Sequence, residues 1–441
     1  MTDFISFLTE HGATVYLVGG AVRDAIYNRY HGWTTLTKDY DLLVTGVEID
    51  HLEELLKAFG EVHLIGKAFG ILNLVCFDGT HYEISIPRIE VSTGPHYRDF
   101  KVIPDHTAPV EQDLGRRDST VNAIAVKIRS LSELHRPPAL YQETFDKYNP
   151  DIIDPYHGIN DIKVKLWRAV GNPYHRFLED PTRIMRAVRQ CACQELILHP
   201  DTYQAIKDHD KDLLSTLGHE SAVRITTELV KSVINCRTTI FLDYVFQTGI
   251  ASVFGLNYSR SEIEMIRKIF DHLNSTDNRD PILRMVIFLS FIHATIEGWC
   301  ERWQLSAVVT YRREWVPWTI RAVKYLPDVS KCIDDPIKLR QIIQKMKYHL
   351  EETNGSPKVL FDAYRCLTNI DISDMYEEHK DVISTPRLLK ISGGTIMEKT
   401  GARGKEIGIV KKHLFDMVTQ MIVDNDEKSL ISQLDHLNIS E

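Results

Sequence analysis

The sequence has no CxxC pair. Its seven cysteines are scattered along 441 residues, which excludes the usual ligand spacing of a structural zinc and fits reduced thiols. It has no long hydrophobic run either. The most apolar stretch, MVIFLSFI at 285–292, is far shorter than the roughly 20 residues of a membrane helix. The amino terminus, MTDFISFLTEHG, lacks a basic start and an extended apolar segment, so it does not read as a signal peptide. A cytoplasmic protein without a membrane span is expected. Fixed-length repeats and low-complexity tracts are also missing. So is an excess of positive charge. The formal net charge of −9 excludes a general polyanion binder and confines any nucleic-acid surface to a local basic patch.

What is present is an ordinary globular composition, 43% hydrophobic and 26% charged, in a chain long enough for two to four domains. The first ~130 residues mix strands and helices. TVYLVGG (14–20) is an apolar run ending in a glycine pair, followed by the helical spacing of AVRDAIYNRY. DYDLLVTG reads as a strand, and LEELLKAFG as a helix with a glycine stop. ILNLVCFDGTHYEISIPR reads as two strands joined at Asp78-Gly79, a hairpin dipeptide. TVNAIAVKI is a further strand or helix–strand piece. From 87 to 115, proline, glycine, histidine and charge dominate, and a long mobile loop is expected. Beyond about residue 177 the pattern is helical, with a 3.6-residue period in ESAVRITTELVKSVI, SEIEMIRKIFDHL and IKLRQIIQKMKYHL. The tail holds the clearest basic cluster: Lys399, Arg403, Lys405, Lys411 and Lys412.

Four stretches carry chemistry, and each also has a plain structural reading. Asp39 and Asp41 in LTKDYDLLVTG stand two residues apart, on one face of a strand. Paired carboxylates repel unless a cation lies between them, and Mg²⁺ takes such oxygen ligands; the alternative is a solvated strand end. GGAVRD (19–24) puts glycines where a strand enters a helix, so backbone N–H groups, Gly20 and Arg23 can meet a phosphate; the alternative is a tight turn with a surface ion pair. RRDSTVN (116–122) offers adjacent arginines to a triphosphate or ribose, or else is a helix entry capped by Asp118 or Ser119. EDPTRIMRAVR (179–189) is a helix start at Asp180-Pro181. It places Asp180, Arg183 and Arg186 along one flank, with Arg189 drifting to the other. An aspartate and an arginine held side by side offer the acceptor and donor groups of a base edge.

In order, GGAVRD, DYD, RRDSTVN, DPYHG (154–158) and EDPTRIMRAVR resemble the motif series of class II tRNA nucleotidyltransferases, in the superfamily that also holds bacterial poly(A) polymerases. SIPRIEVSTGPHYRDF and VEQDLGRRDSTVNAIAV are similar to the bacterial CCA-adding branch. The resemblance is dense over about 14–190, thins through ESAVRITTEL and returns at GARGKEIG, which is like the branch's GxxGPEIG. It implies an α+β fold. A nucleotidyltransferase head with a small mixed sheet (1–135) would precede an all-helical neck with the nucleotide-selecting helix (136–220), body (221–340) and tRNA-binding tail (341–441), with sheet only in the head.

The resemblance further implies Mg²⁺ on Asp39 and Asp41, and Gly20 and Arg23 on the triphosphate. Arg117, with Arg116 as the alternative, would also contact the nucleotide. Asp180 and Arg183 would pair with the incoming CTP or ATP in place of a template, supported by Arg186 and Arg189. Glu83 is a candidate third carboxylate, and Lys399, Arg403, Lys405, Lys411 and Lys412 would grip tRNA. The implied reaction adds C, C and A to the 3′ end of tRNA with release of pyrophosphate. A poly(A) polymerase, a CC- or A-adding enzyme, a non-catalytic RNA-binding protein and, remotely, a DxD glycosyltransferase are the alternatives. IGKAFGI (65–71) is closer to the tRNA type than to the GRRFRL-like strand of poly(A) polymerases, and the length of 87–115 favours full CCA addition. Ser119 stands where the family has Phe or Leu, and Val121 where it has Ile. The helical body shows no His-Asp pair at FIHATIEG around His293, so phosphohydrolase activity is not expected.

Overall fold

The computed structural model describes residues 3–32, 40–64, 70–92, 100–141, 149–215, 219–256, 258–292, 295–313, 315–332, 335–348 and 356–434. Asp39, most of the 65–71 segment and His293 lie outside these residues. The chain divides into two units, Met1–Ser221 with Ile240–Val253, and Ala222–Thr239 with Phe254–Glu441.

The first unit opens with α1 (Phe4–Glu10), β1 (Thr14–Val18), α2 (Gly20–His31), β2 (Asp41–Thr45), α3 (Ile49–Leu56), β3 (Gly60–Leu64), β4 (Ile71–Cys76) and β5 (His81–Ser85). It continues through β6 (Arg88–Ser92), β7 (Phe100–Pro104), α4 (Val110–Gly115), a 3-10 turn (Thr120–Asn122), β8 (Ala125–Ile128), α5 (Leu131–His135), α6 (Pro138–Tyr141) and β9 (Ile152–Ile153). Then come α7 (Gly158–Lys163), β10 (Leu166–Trp167), α8 (Pro173–Glu179), α9 (Thr182–Gln194) and β11 (Ile197–Leu198). Seven strands form one mixed sheet in the order β3-β4-β5-β2-β1-β8-β9, parallel only at β2–β5.

Strand alternation gives this sheet two apolar faces. Val15, Leu17, Leu42, Val44, Leu72, Leu74, Tyr82 and Ile84 are buried, and the registers Val15↔Val44, Leu17↔Leu42 and Leu42↔Ile84 put them on one side. There Phe4 of α1 meets the Tyr82 ring at 5.0 Å. The other face carries Val18 and Leu43, packed with Val110 and Leu114 of α4, Ala123, Ala125 and Val170. Asp41 pairs in register with Val18 on one side and Glu83 on the other, so it opens this second face.

Three expectations change here. The 87–115 segment is not a loop throughout: β6 and β7 pair as an antiparallel hairpin, with Ile89 opposite Ile103, and α4 follows. Ile89 and Val91 alternate in β6, but Val102 and Ile103 are adjacent in β7, and the surrounding proline and charge obscure both strands. Strand pairing also runs past residue 135, through β9 and the parallel β10–β11 pair. Cys76, Cys191, Cys300, Cys332 and Cys366 carry free thiols, but Cys193 and Cys236 are disulfide-bonded, against the expectation of seven thiols.

The described secondary structure of the second unit is helical. In Pro281–Ser290, capped by Asp280, the buried Arg284 gives its guanidinium to the Val233 and Asn278 carbonyls, Thr238 Oγ1 and Asn274 Oδ1. Further on, Ile396, Val410, Leu414, Val418, Leu430 and Leu434 form a core that presents the helices Gly393–Thr400 and Lys405–Thr419.

Candidate active site

The end of β1, the start of α2 and the start of β2 meet at one point. Gly19 makes the turn with φ 73 and ψ −134, a conformation open to glycine and strained for other residues. A β-carbon there would lie 3.0 Å from both Asp41 Oδ2 and Arg117 Nη1. The carboxylate and the guanidinium therefore close on the glycine from two sides. Glu83 completes the carboxylate edge on β5. Desolvation of its carboxyl, then the nearby Asp41 charge, push Glu83 above its ordinary value, and Arg88 partly opposes them. A cation would relieve that repulsion, so the donor set fits a divalent metal. Asp39, the other expected ligand, lies outside the described residues.

Arg23, one turn into α2, donates through Nη1 to Asn122 Oδ1 at 2.7 Å and through Nε to Asp24 Oδ1 at 2.8 Å. Arg116 and Arg117 both turn back to Asp113 of α4, which is fully buried. Arg116 Nε donates to Asp113 Oδ1 at 2.8 Å, and Arg117 Nη2 reaches Oδ2 at 3.5 Å. The Arg117 Nε is buried with no hydrogen-bond partner among the described residues.

Asp118 is a structural anchor rather than a cap. It accepts from Arg186 Nε at 2.9 Å, Asn122 Nδ2 at 2.7 Å and Ser119 Oγ at 3.2 Å. Burial alone would raise its carboxyl, but the Arg186 charge, the Asn122 amide and the Arg183 charge outweigh it and hold Asp118 well below the usual carboxylate range. DPYHG supports this turn from below. Asp154 accepts from the Gly158 and Ile159 amides at 2.7 and 3.0 Å. A β-carbon on Gly158 would stand 2.1 Å from the Thr120 carbonyl, so only glycine lets α7 approach so closely.

On the neck side α9 starts at Thr182, one residue later than expected, with Asp180 Oδ1 accepting from the Thr182 N–H and hydroxyl. Asp180 and Arg183 flank each other, but each has its own partner in this state. Arg183 Nη1 pairs with Glu179 at 2.8 Å, and its Nη2 donates to the Arg116 carbonyl at 3.0 Å. Arg183 and Arg186 thus both reach the RRDSTVN turn, which ties the α9 arginines to Arg23 through Asn122. Arg189 lies half-buried one turn beyond Arg186. Ile184, Met185, Val188 and Cys191 are buried on the apolar side.

Sequence reasoning missed Asp113, Glu179, Gln190 and Gln194, and of the glycine pair it named Gly20 and not Gly19 as the site residue. Asp113 stands three and four residues before Arg116 and Arg117, and Glu179 four before Arg183. That spacing marks helix-surface ion pairs and would have found both. In the second unit Lys399, Arg403, Lys405 and Lys412 are exposed and Lys411 is half-buried, all on or beside the helices Gly393–Thr400 and Lys405–Thr419.

A strand–glycine turn–helix beside a carboxylate pair, on a mixed sheet, defines a nucleotidyltransferase-type head. Residues 15–168 match the family model of the poly A polymerase head domain. A CCA-adding enzyme of Bacillus velezensis is 30% identical over 305 residues, 68% of this chain and 67% of the relative. One from Lactobacillus johnsonii is 26% identical over 435 residues, 96% and 93% of the two chains. Among solved structures, the Bacillus stearothermophilus CCA-adding enzyme in complex with CTP shares the fold at a TM-score of 0.67 and 21% identity, over 98% of this chain and 95% of that one. The chain belongs to the CCA-adding enzyme family of nucleotidyltransferases, and this membership implies dependence on a divalent metal.

Proposed function

We propose that this protein adds C, C and A to the 3′ end of tRNA, using CTP and ATP without a template and releasing pyrophosphate. The observation that carries the reading is the single hydrogen-bonded cluster in which Asp118 and Asn122 join Arg23 to Arg186. The guanidinium offered to a triphosphate and the helix that carries Arg183, offered to a base, are thereby built into one body, next to the Asp41–Glu83 edge.

In this reading Asp39 and Asp41, with Glu83 as a third candidate, hold Mg²⁺, which when bound lowers the pKa of the attacking 3′-hydroxyl and neutralises the pyrophosphate. Arg23 and Arg117 bind the triphosphate, Gly20 lets it approach the α2 amino terminus, and Arg116 braces Arg117 through Asp113. Asp180 accepts from the exocyclic amino group that cytosine and adenine share. Arg183 donates to the neighbouring ring nitrogen once it exchanges Glu179 for the base. Uracil and guanine present a carbonyl and an N–H there instead and are refused. Arg186 and Arg189 support α9. Lys399, Arg403, Lys405, Lys411 and Lys412 hold tRNA by its phosphates. We retain head (1–135), neck (136–220), body (221–340) and tail (341–441) as the working division, and a cytoplasmic location, where these substrates are found.

The deciding experiment offers labelled CTP and ATP with tRNA ending at the discriminator base. Two C and one A, then arrest, is the expected product. Runaway A would instead make the protein a poly(A) polymerase, arrest after two C a CC-adding enzyme, and no labelling a non-catalytic binder.

A further inference from the structure

Gln190 and Gln194 lie four residues apart on α9, and so on one flank. They are 2% and 8% exposed. Gln190 Oε1 accepts from Trp167 Nε1 at 2.8 Å and from Asn122 Nδ2 at 3.0 Å. Gln194 Nε2 donates to Asp24 Oδ1 at 2.8 Å. Asn122 and Asp24 are the two side chains that grip Arg23.

The polarity of each link is fixed by chemistry. An indole N–H can only donate, and Trp167 is wholly buried. Gln190 must therefore turn its oxygen toward Trp167, and the same oxygen then faces Asn122. Asn122 can answer only with its nitrogen. The second proton of that nitrogen goes to the Asp118 carboxylate at 2.7 Å, which leaves the Asn122 oxygen directed at Arg23. Donation thus converges on Gln190 Oε1, from Trp167 on one side and, through Asn122, from the guanidinium on the other, and each link has one allowed polarity. On the other side Gln194 is held with its nitrogen on Asp24, while its own oxygen is buried with no hydrogen-bond partner among the described residues. Packing alone does not require that orientation.

We propose that Gln190 and Gln194 are positioning residues for nucleotide transfer: α9, the helix offered to the base, sets the guanidinium offered to the triphosphate, through Asn122 on one side and Asp24 on the other. This rests on the reading of Arg23 as a triphosphate ligand. Neither glutamine touches the reacting atoms.

The test is a double-mutant cycle in steady-state kinetics, with CTP on tRNA ending at the discriminator base and ATP on tRNA ending in CC. Gln190→Met and Gln194→Met are each expected to raise the KM for both nucleotides by roughly 3- to 30-fold, inside the range of couplings within one network. Exclusion of UTP and GTP should persist. In an Arg23→Ala background the same substitutions should add nothing. Full additivity, or an unchanged KM in both single variants, would overturn the proposal. If Arg23→Ala alone leaves KM unchanged, the failed element is Arg23 as triphosphate ligand. Should Gln190→Met not fold, Trp167→Phe removes the orienting donor while leaving an aromatic, apolar side chain in its place. It should raise KM in the wild-type background and not in Arg23→Ala; equal effects in both would reject the relay.

Discussion

Asp118 is 6% exposed and ionised against three neighbours. Its environment dictates a pH dependence. The folded carboxyl titrates well below the ordinary value near 3.9, so the unfolded chain takes up this proton first as pH falls. The stability it contributes is complete above that value and is lost as pH drops through it toward the folded pKa. Asp118→Asn keeps the shape but removes the charge that Arg186 faces. It should cost on the order of 1–3 kcal/mol near neutrality, in the lower part of the range for charged pairs because Arg186 keeps 41% of its side chain in water. Urea unfolding of both proteins between about pH 6 and pH 3 measures the gap. The gap should close toward acid; parallel curves would mean that Asp118 is not the ionised anchor described here. Asp113, wholly buried, is paired with two arginines, Arg116 and Arg117.

At the level of elements, the strand–turn–helix from β1 to α2 separates two glycines that look alike in sequence. Gly19 has the positive φ and the crowded β-carbon position, whereas a β-carbon on Gly20 would meet only Arg23 Nη2, at an ordinary 3.6 Å. Gly19→Ala should therefore lose about 1–3 kcal/mol to backbone strain and displace Asp41 and Arg117, with transfer falling at least about 100-fold, as positioning errors near 1 Å do. Gly20→Ala should fold as the parent protein does, so any loss of transfer reports the approach of the nucleotide. Thermal melting alongside nucleotide incorporation tells the two apart, and a Gly19→Ala protein as active as the parent would remove the turn from the site. Elements of this kind were legible in advance because their signals are local: an apolar run ending in Gly-Gly, Asp78-Gly79 between two strands, Asp180-Pro181 before α9. The β6–β7 hairpin was not, since Ile89 needs a partner 14 positions away, at Ile103, before its alternation means anything. Nor was the grip on Arg23, where Asn122 and Gln190 are 68 residues apart. Polar contacts between distant segments leave no period in a sequence. Arg183 is the instructive middle case. Its neighbour Asp180 was legible as a neighbour, but Glu179, at the better i,i+4 spacing, holds its guanidinium in this state.

The whole molecule carries a net charge of −9, yet its proposed substrate is a polyanion. Long-range attraction cannot then come from the chain as a whole, and binding has to rest on a local field. The helix Lys405–Thr419 supplies one. Leu414 and Val418 pin it to its core, and Lys405 and Lys412 stand exposed, with Lys411 half-buried. Screening over about 8–10 Å at physiological salt means that only phosphates close to these side chains feel them. Replacing both Lys411 and Lys412 by Gln should weaken tRNA binding. It should also flatten the dependence of log Kd on log salt by roughly 1.4–1.8, the release of about two counterions. Melting should hardly move, because neither side chain belongs to the apolar core beneath. Titrating labelled tRNA at several salt concentrations reads both quantities. A weaker Kd with an unaltered slope would mean that the lysines act on the shape of the tail rather than on phosphates, and an unchanged Kd and slope would put the tRNA on a different surface of an otherwise acidic protein.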